Sequence, residues 1–434
     1  MATAAEKQWT MMVYLAGDNN LDSAGVADLQ EMKKVGSTDQ VNAIAQFDRR
    51  GSTQATKRYY LRKGGTLDKD AVASLGETNT GDPKVLENFI QWGIKNYPAQ
   101  HYLVVVWNHG AGWDDEDIYR TAQHTLKLNL QRRGATVAPA RGTAQGAVSI
   151  RQVRAVASKR FRRALFSSSI EKAVGASGKN RAIAFDDSAK DFLDNLEMKR
   201  VLLSVKKTLG RKLDILGMDA CLMSMAEVGY QLRDSVMLTV GSEEVEPGDG
   251  WPYDRILAAL SKKPNMPPQE LASTIVTQYI ASYAANAGVT QAACDLSKSS
   301  ALAKTVDGLA QALKNHLTDG TVKTAILQAR NQVQSYDVPD YIDLYDFCEL
   351  VKGHCAQAEV QSACQSMMDV IHTGNFVVSS GYKGATMQHS HGLSIYFPQP
   401  QKGISPLYAT LDFTKQTSWD EFLQAYMSST RRPG

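Results

Sequence analysis

Two side chains in this sequence have the types and positions needed to break an amide bond. His109 comes just after the apolar run HYLVVVW (101–107). Cys221 comes just after LDILGM (213–218), with Asp219 and Ala220 between. A cysteine is nucleophilic as its thiolate, and it needs a neighbour that takes the proton and later returns one to the leaving amine; an imidazole can do both near neutral pH. Gly110 leaves its backbone N–H open to a substrate carbonyl, and with the N–H of Cys221 it forms the expected oxyanion hole. A helix is expected from about residue 222, which would put Cys221 at the positive end of its dipole. Each residue also has a plainer reading. A buried cysteine is commonly an inert small apolar group, and a histidine at a strand end is commonly a satisfied polar one. It is the pairing of the two at strand ends that favours catalysis over these plainer roles.

Both residues stand at strand ends. WTMMVYLA (9–16), VNAIAQF (41–47), HYLVVVW (101–107), LDILGM (213–218) and VMLTV (236–240) are short apolar runs closed by turn residues. Their near-continuous apolar character suits strands buried on both faces of a parallel sheet. Helical spacing over 22–34 and after Asp82-Pro83, an N-cap followed by proline at the first helical position, alternates with them. The expected class is therefore α/β with a mostly parallel central sheet, in which functional groups collect beyond the carboxyl ends of the strands. Residues 57–61 read as a shorter, more exposed strand. Residues 264–350 read as largely helical around a strand at 289–294, with a later strand at 391–397 and a short helix at 419–426. The expected division is 1–115 carrying the histidine, 116–182 as a linker, 183–263 carrying the cysteine, and 264–434 as a largely helical C-terminal α/β subdomain.

The 434 residues carry a formal charge of only +3, with 43% hydrophobic and 21% charged residues, which excludes a disordered chain. The small total conceals an asymmetry. Residues 116–182 hold 14 Lys/Arg against 3 acids, a charge of +11, so the remainder carries −8. This insert has weak apolar periodicity and several glycines and serines, and reads as an exposed linker. Five cysteines without a C-x-x-C pair support neither a disulfide framework nor a zinc ribbon. With no apolar run of 18 residues and no basic-then-apolar leader, the expectation is a cytoplasmic protein without membrane contact.

The segments WTMMVYLAGDNNLD (9–22), VVVWNHGAGW (104–113), AFDDSAKDFLDNLEMK (184–199), ILGMDACLMSMAEVGYQLRD (215–234), PGDGWPY (247–253), YIDLYDFC (341–348) and HGLSIYFP (391–398) resemble, in order along nearly the whole chain, the clostripain-like cysteine peptidases of family C11. The resemblance implies a caspase-like α/β/α sandwich and a thiol hydrolase of the cysteine endopeptidase class. It implies His109 and Cys221 as the catalytic residues, with no third member. It also implies cleavage of protein or peptide substrates after Arg, with Lys a second choice. Asp219 matches a carboxylate of the primary specificity pocket. A second one is expected after the next strand, with Asp249 preferred and Glu244 and Glu246 as rivals. A carboxylate pair suits a guanidinium through bidentate charged hydrogen bonds, whereas the plain alternative for Asp219 is a helix-entry cap.

The resemblance also implies a zymogen cut between its His and Cys segments, by itself or by an upstream activating protease. Arg151, Arg154, Lys159, Arg160, Arg162 and Arg163 are the candidate processing sites. The insert is longer and more basic than that pattern needs. The competing reading is a non-catalytic caspase-like module whose insert binds nucleic acid or an acidic partner. With only Phe161 and Phe166 as aromatics in its densest part, nucleic acid is weakly supported. No cofactor is required by this chemistry. Calcium, which some relatives require, remains an alternative at Asp114–Asp117 and Asp186–Asp187, although no EF-hand spacing is present. His389 and His391 have an i, i+2 spacing without cysteine or acidic partners nearby in sequence, and read as a strand entry rather than metal ligands.

Overall fold

In a computed structural model the chain is described over residues 6–18, 21–50, 54–108, 195–405 and 408–430. Eleven strands occur among these residues: β1 (Lys7–Gly17), β2 (Val41–Arg49), β3 (Lys57–Tyr60), β4 (Ala71–Ser74), β5 (Ala99–Trp107), β6 (Leu213–Asp219), β7 (Val236–Gly241), β8 (Val289–Asp295), β9 (Tyr341–Asp343), β10 (Val377–Lys383) and β11 (Ser394–Tyr396). Nine form one sheet in the order β10-β8-β7-β6-β5-β1-β2-β3-β4, while β9 and β11 pair as a separate ribbon. The central strands β7, β6, β5, β1 and β2 are parallel, and the edges turn antiparallel at β8 and β3.

The apolar runs produce this because successive side chains on a strand point to opposite faces. Met12, Tyr14, Val104, Val106, Leu216 and Met218 enter one buried cluster. Their neighbours Met11, Val13, Leu15, Leu103, Val105 and Ile215 enter the other. Helices Asp22–Val35, Tyr253–Lys262 and Pro268–Ser282 bury residues in the second cluster. Pro83–Asn96, Asn195–Leu209 and the later helices, from Ser299–Asn315 to Trp419–Thr430, cover the other face. Asp82 caps its helix as expected, accepting from the Lys84 N–H at 2.9 Å, with Pro83 in the first turn. The result is an α/β/α sandwich.

Three differences matter. The stretch 264–434, expected as a largely helical C-terminal α/β subdomain, supplies β8 and β10 to the main sheet and shares its larger core. The strand expected at 391–397 shortens to β11. The strands β4, β9 and β10 carry no strong period-2 pattern and are not legible in the sequence; they are short, partly exposed or edge elements held by their partners rather than by their own residues. No described helix is long and apolar enough to cross a membrane.

Candidate active site

Register brings the two strand ends together. β5 and β6 pair in parallel with Trp107 opposite Asp219, and the Asn108 N–H donates to the Asp219 carbonyl at 3.3 Å. Asn108, Ala220 and Cys221 line one cleft together with Leu21, Trp107, Asp219, Glu246, Pro247, Gly248 and Gly250. His109 and Gly110 follow Asn108 directly in the chain but lie outside the described residues, as do all six processing candidates and the acidic runs at 114–117 and 186–187.

Cys221 does not open a helix. The helix begins at Ala226, with Met225 before it and no side-chain cap. Cys221 instead sits in a turn whose next residue, Leu222, has φ +63° and is fully buried. That left-handed conformation costs a non-glycine residue about 1–2 kcal/mol. Ties to the loop after β7 hold it: Leu222 N–H donates to the Glu244 carbonyl at 3.3 Å and Ser224 N–H to the Ser242 carbonyl at 2.9 Å. The Glu246 N–H donates to the Cys221 Sγ at 3.4 Å. A helix dipole therefore does not account for thiol activation here.

Asp219 is buried, and its carboxylate accepts from the Tyr253 hydroxyl at 2.7 Å and the Trp251 N–H at 3.4 Å. It caps no helix. The Glu246 carboxyl lies against it, close enough to share a proton, and accepts from Gln291 Nε2 at 3.0 Å. Burial raises the affinity of both groups for protons. Glu246 is raised furthest, because the charge of Asp219 adds to its desolvation. A third buried carboxyl, Asp28, is lifted by its own burial and then by the charge of Asp219, and is hydrogen-bonded by the Trp107 side chain. Two buried carboxyls, Asp219 and Glu246, thus line the cleft beside Cys221, with Asp28 close behind them.

Asp249 is placed differently from expectation. It is exposed and lines the neighbouring depression with Glu31, Lys34 and Asp254, and Glu246 occupies the position beside Asp219. The physical reason is the Pro247–Gly250 turn, closed by Gly250 N–H to the Pro247 carbonyl at 2.9 Å. It turns Glu246 inward and Asp249 out. Glu244, the other rival, is spent on its own backbone, accepting from the Val245 and Asp337 N–H groups. Asp28 gives no signal in the sequence; it sits on a helix where it reads as an ordinary polar position. Gly250 has φ +56°, and a Cβ there would stand 3.2 Å from Asp219 Oδ2. Gly250→Ala is therefore expected to destabilise the fold by about 1–2 kcal/mol, read by thermal denaturation.

One further set of oxygens lies close together. Asp18 just after β1, Asp48 near the end of β2 and Glu77 after β4 have carboxylate oxygens within 4.8 Å of one another.

A sequence profile described as the Clostripain family matches residues 13–125 and 171–426. The chain belongs to the clostripain family of cysteine peptidases. This makes it a hydrolase acting on peptide or protein substrates, and it removes the non-catalytic alternative that the basic insert alone would have allowed. The clostripain of Hathewaya histolytica is 25% identical to it over 94% of this chain and 78% of that protein. Solved structures share its fold, two of them as follows. A secreted C11 cysteine protease from Bacteroides thetaiotaomicron, in complex with an irreversible peptide inhibitor, is 20% identical over 98% of this chain and 99% of its own, with a TM-score of 0.58. An inactive zymogen C11 protease from Parabacteroides distasonis is 17% identical over 95% and 99%, with a TM-score of 0.61.

Proposed function

We propose that this peptidase cleaves after Arg, and less readily after Lys, and that it is made as a precursor opened by a cut within its basic insert. The observation that carries the preference is the buried pair Asp219 and Glu246 beside Cys221. A guanidinium entering the cleft would displace the shared proton and receive two carboxylates in bidentate geometry, which the point charge of Lys matches less well. In this reading His109 takes the Cys221 proton, the thiolate attacks the carbonyl, and the N–H groups of Gly110 and Cys221 stabilise the oxyanion. The imidazolium then protonates the departing amine, and water attacks the acyl-enzyme with His109 as base.

The precursor reading is supported by charge and by position. The family profile leaves residues 126–170 unmatched, and these contain all six candidate processing sites. A +11 segment joined to an acidic cleft is a natural first substrate. The relative described as an inactive zymogen lends the same support by analogy only. An upstream activating protease is the alternative to self-cleavage. No cofactor enters the reaction as written, while calcium, as a hard cation taking oxygen ligands, remains open to test. An intracellular setting is supported by five buried free thiols; the secretion stated for one structural relative points the other way.

The test is N-terminal sequencing of the purified protein after incubation, with calcium and with a chelator, for wild type and Cys221→Ala. Wild type is expected to gain a new N-terminus after an Arg or Lys within 126–170, and the variant none. A cut after a non-basic residue, or an equal cut in the variant, would overturn self-processing by this specificity.

A further inference from the structure

Loop 242–246, which holds Cys221 through the Glu246 N–H and Leu222 through the Glu244 carbonyl, is itself gripped from the C-terminal part of the chain. Thr290 Oγ1 accepts the N–H groups of Glu243 and Glu244 at 3.0 and 3.1 Å and meets the Ser242 hydroxyl at 2.9 Å. The Glu243 carboxyl is buried; it accepts from the Tyr336 hydroxyl at 2.8 Å and the Gly392 N–H at 3.0 Å. The same Tyr336 hydroxyl lies 3.3 Å from Asp343 Oδ2. Asp343 is fully buried and accepts from the His391 N–H at 2.6 Å and the Asp346 N–H at 2.7 Å. Its Oδ1 stands 3.2 Å from His391 Nδ1. The His391 ring stacks on Tyr345 at 4.3 Å and keeps 33% of its side chain exposed. A line of direct contacts thus runs from solvent, through an imidazole and two buried carboxyls, to the loop behind the nucleophile.

We propose that Glu243, Tyr336, Asp343 and His391 form a positioning network that presses loop 242–246 onto Cys221 and makes peptidase activity depend on the charge of His391. Two buried carboxyls sharing one hydroxyl cannot both ionise at ordinary cost, so a proton stays on the pair, and burial with the charge of Asp343 holds it on Glu243. The His391 ring is the basic group that faces the Asp343 carboxyl. The contact with Asp343 keeps His391 protonated to a higher pH than usual, against the opposing effect of burial. Asp346 and His389 also face His391, while Tyr336 and Cys294 face Glu243. When His391 loses its proton, the buried carboxyls lose the cation that faces them, and the hydrogen bonds that tension the loop rearrange. None of these residues touches substrate; they act through the loop.

The inference rests on the cysteine-peptidase reading but not on the preference for Arg. The test uses full-length His391→Gln and Asp343→Asn and reads three things: the rate at which iodoacetamide alkylates Cys221, kcat per active site titrated with an irreversible thiol reagent, and the pH profile of each. His391→Gln alters a part-exposed side chain and decides the matter alone where Asp343→Asn does not fold. Wild-type rates are expected to decline as pH rises through the raised His391 range; in His391→Gln alkylation and kcat per titrated site are expected to fall about tenfold, and that decline to vanish from both profiles. Wild-type rates per site, or an unchanged pH profile, would overturn the proposal, since a merely structural role would lower only the number of active sites. A wild type that is alkylated normally yet ignores Arg substrates would defeat the specificity reading and leave this one standing.

Discussion

Cys221→Ala is expected to abolish hydrolysis of a fluorogenic Arg peptide, with a loss of at least about 10⁴-fold in kcat, and to leave the fold intact. Cys221 is almost fully buried, at 3% exposure, yet lines the cleft. Replacing sulfur by hydrogen removes a group held by one N–H at 3.4 Å and a weak S–H contact to the Glu246 carbonyl at 3.9 Å. Little stability is at stake, so the thermal transition should move by no more than a few degrees. Retained turnover in the variant would sink the assignment of the nucleophile. The other four cysteines are also buried. Cys294 has its thiol pushed up to about 12 by burial and is a poor rival for the same chemistry.

The second large effect concerns the Asp219 and Glu246 carboxyls. Asp219→Ala removes one of two carboxylates proposed to grip the substrate cation. The lost charged hydrogen bond corresponds to about 1.5–3 kcal/mol, so KM for an Arg substrate should rise about ten- to 150-fold. The reaction of Cys221 with a small neutral alkylating agent should change far less. Glu246→Gln should show the same direction and a further signature in pH. In the free enzyme burial and the charge of Asp219 raise the proton affinity of Glu246, and a bound guanidinium would lower it. Binding therefore releases a proton, and by linkage affinity for Arg should strengthen as pH rises through the raised Glu246 range. KM should fall with rising pH in wild type and stay flat in Glu246→Gln. Steady-state kinetics from pH 5 to 8 reads both, and undiminished Arg preference in Asp219→Ala would defeat the pocket assignment.

Several parts of the molecule are legible in the order of residues alone. Uninterrupted runs such as VYLA and LVVVW are what strands buried on both faces require, so β1, β5, β6 and β7 can be read with their order along the chain. Asp82-Pro83 announces its helix because the cap is a local interaction. The helix after Cys221 starts later than its spacing suggests, for the opposite reason. LMSMAEVGYQL has helical spacing from its start, but Leu222 through Met225 are pulled into a turn by hydrogen bonds to residues 242 and 244. Propensity cannot register a partner that lies about twenty residues away.

The linear order of side chains was enough to establish that a histidine and a cysteine end adjacent-looking strands, that Asp219 lies two positions before the thiol, and that one basic stretch offsets an acidic body. These properties follow from residue type and local periodicity. Which carboxyl lies beside Asp219, which one turns to solvent, and what contacts the loop behind Cys221 were settled by folding. Glu246 enters the cleft and Asp249 leaves it because one turn reverses the chain between them. The brace on Glu243 comes from Gly392, 149 residues further on. Contacts of that range depend on closing the sheet and burying charge together, and no pattern of neighbouring residues records them.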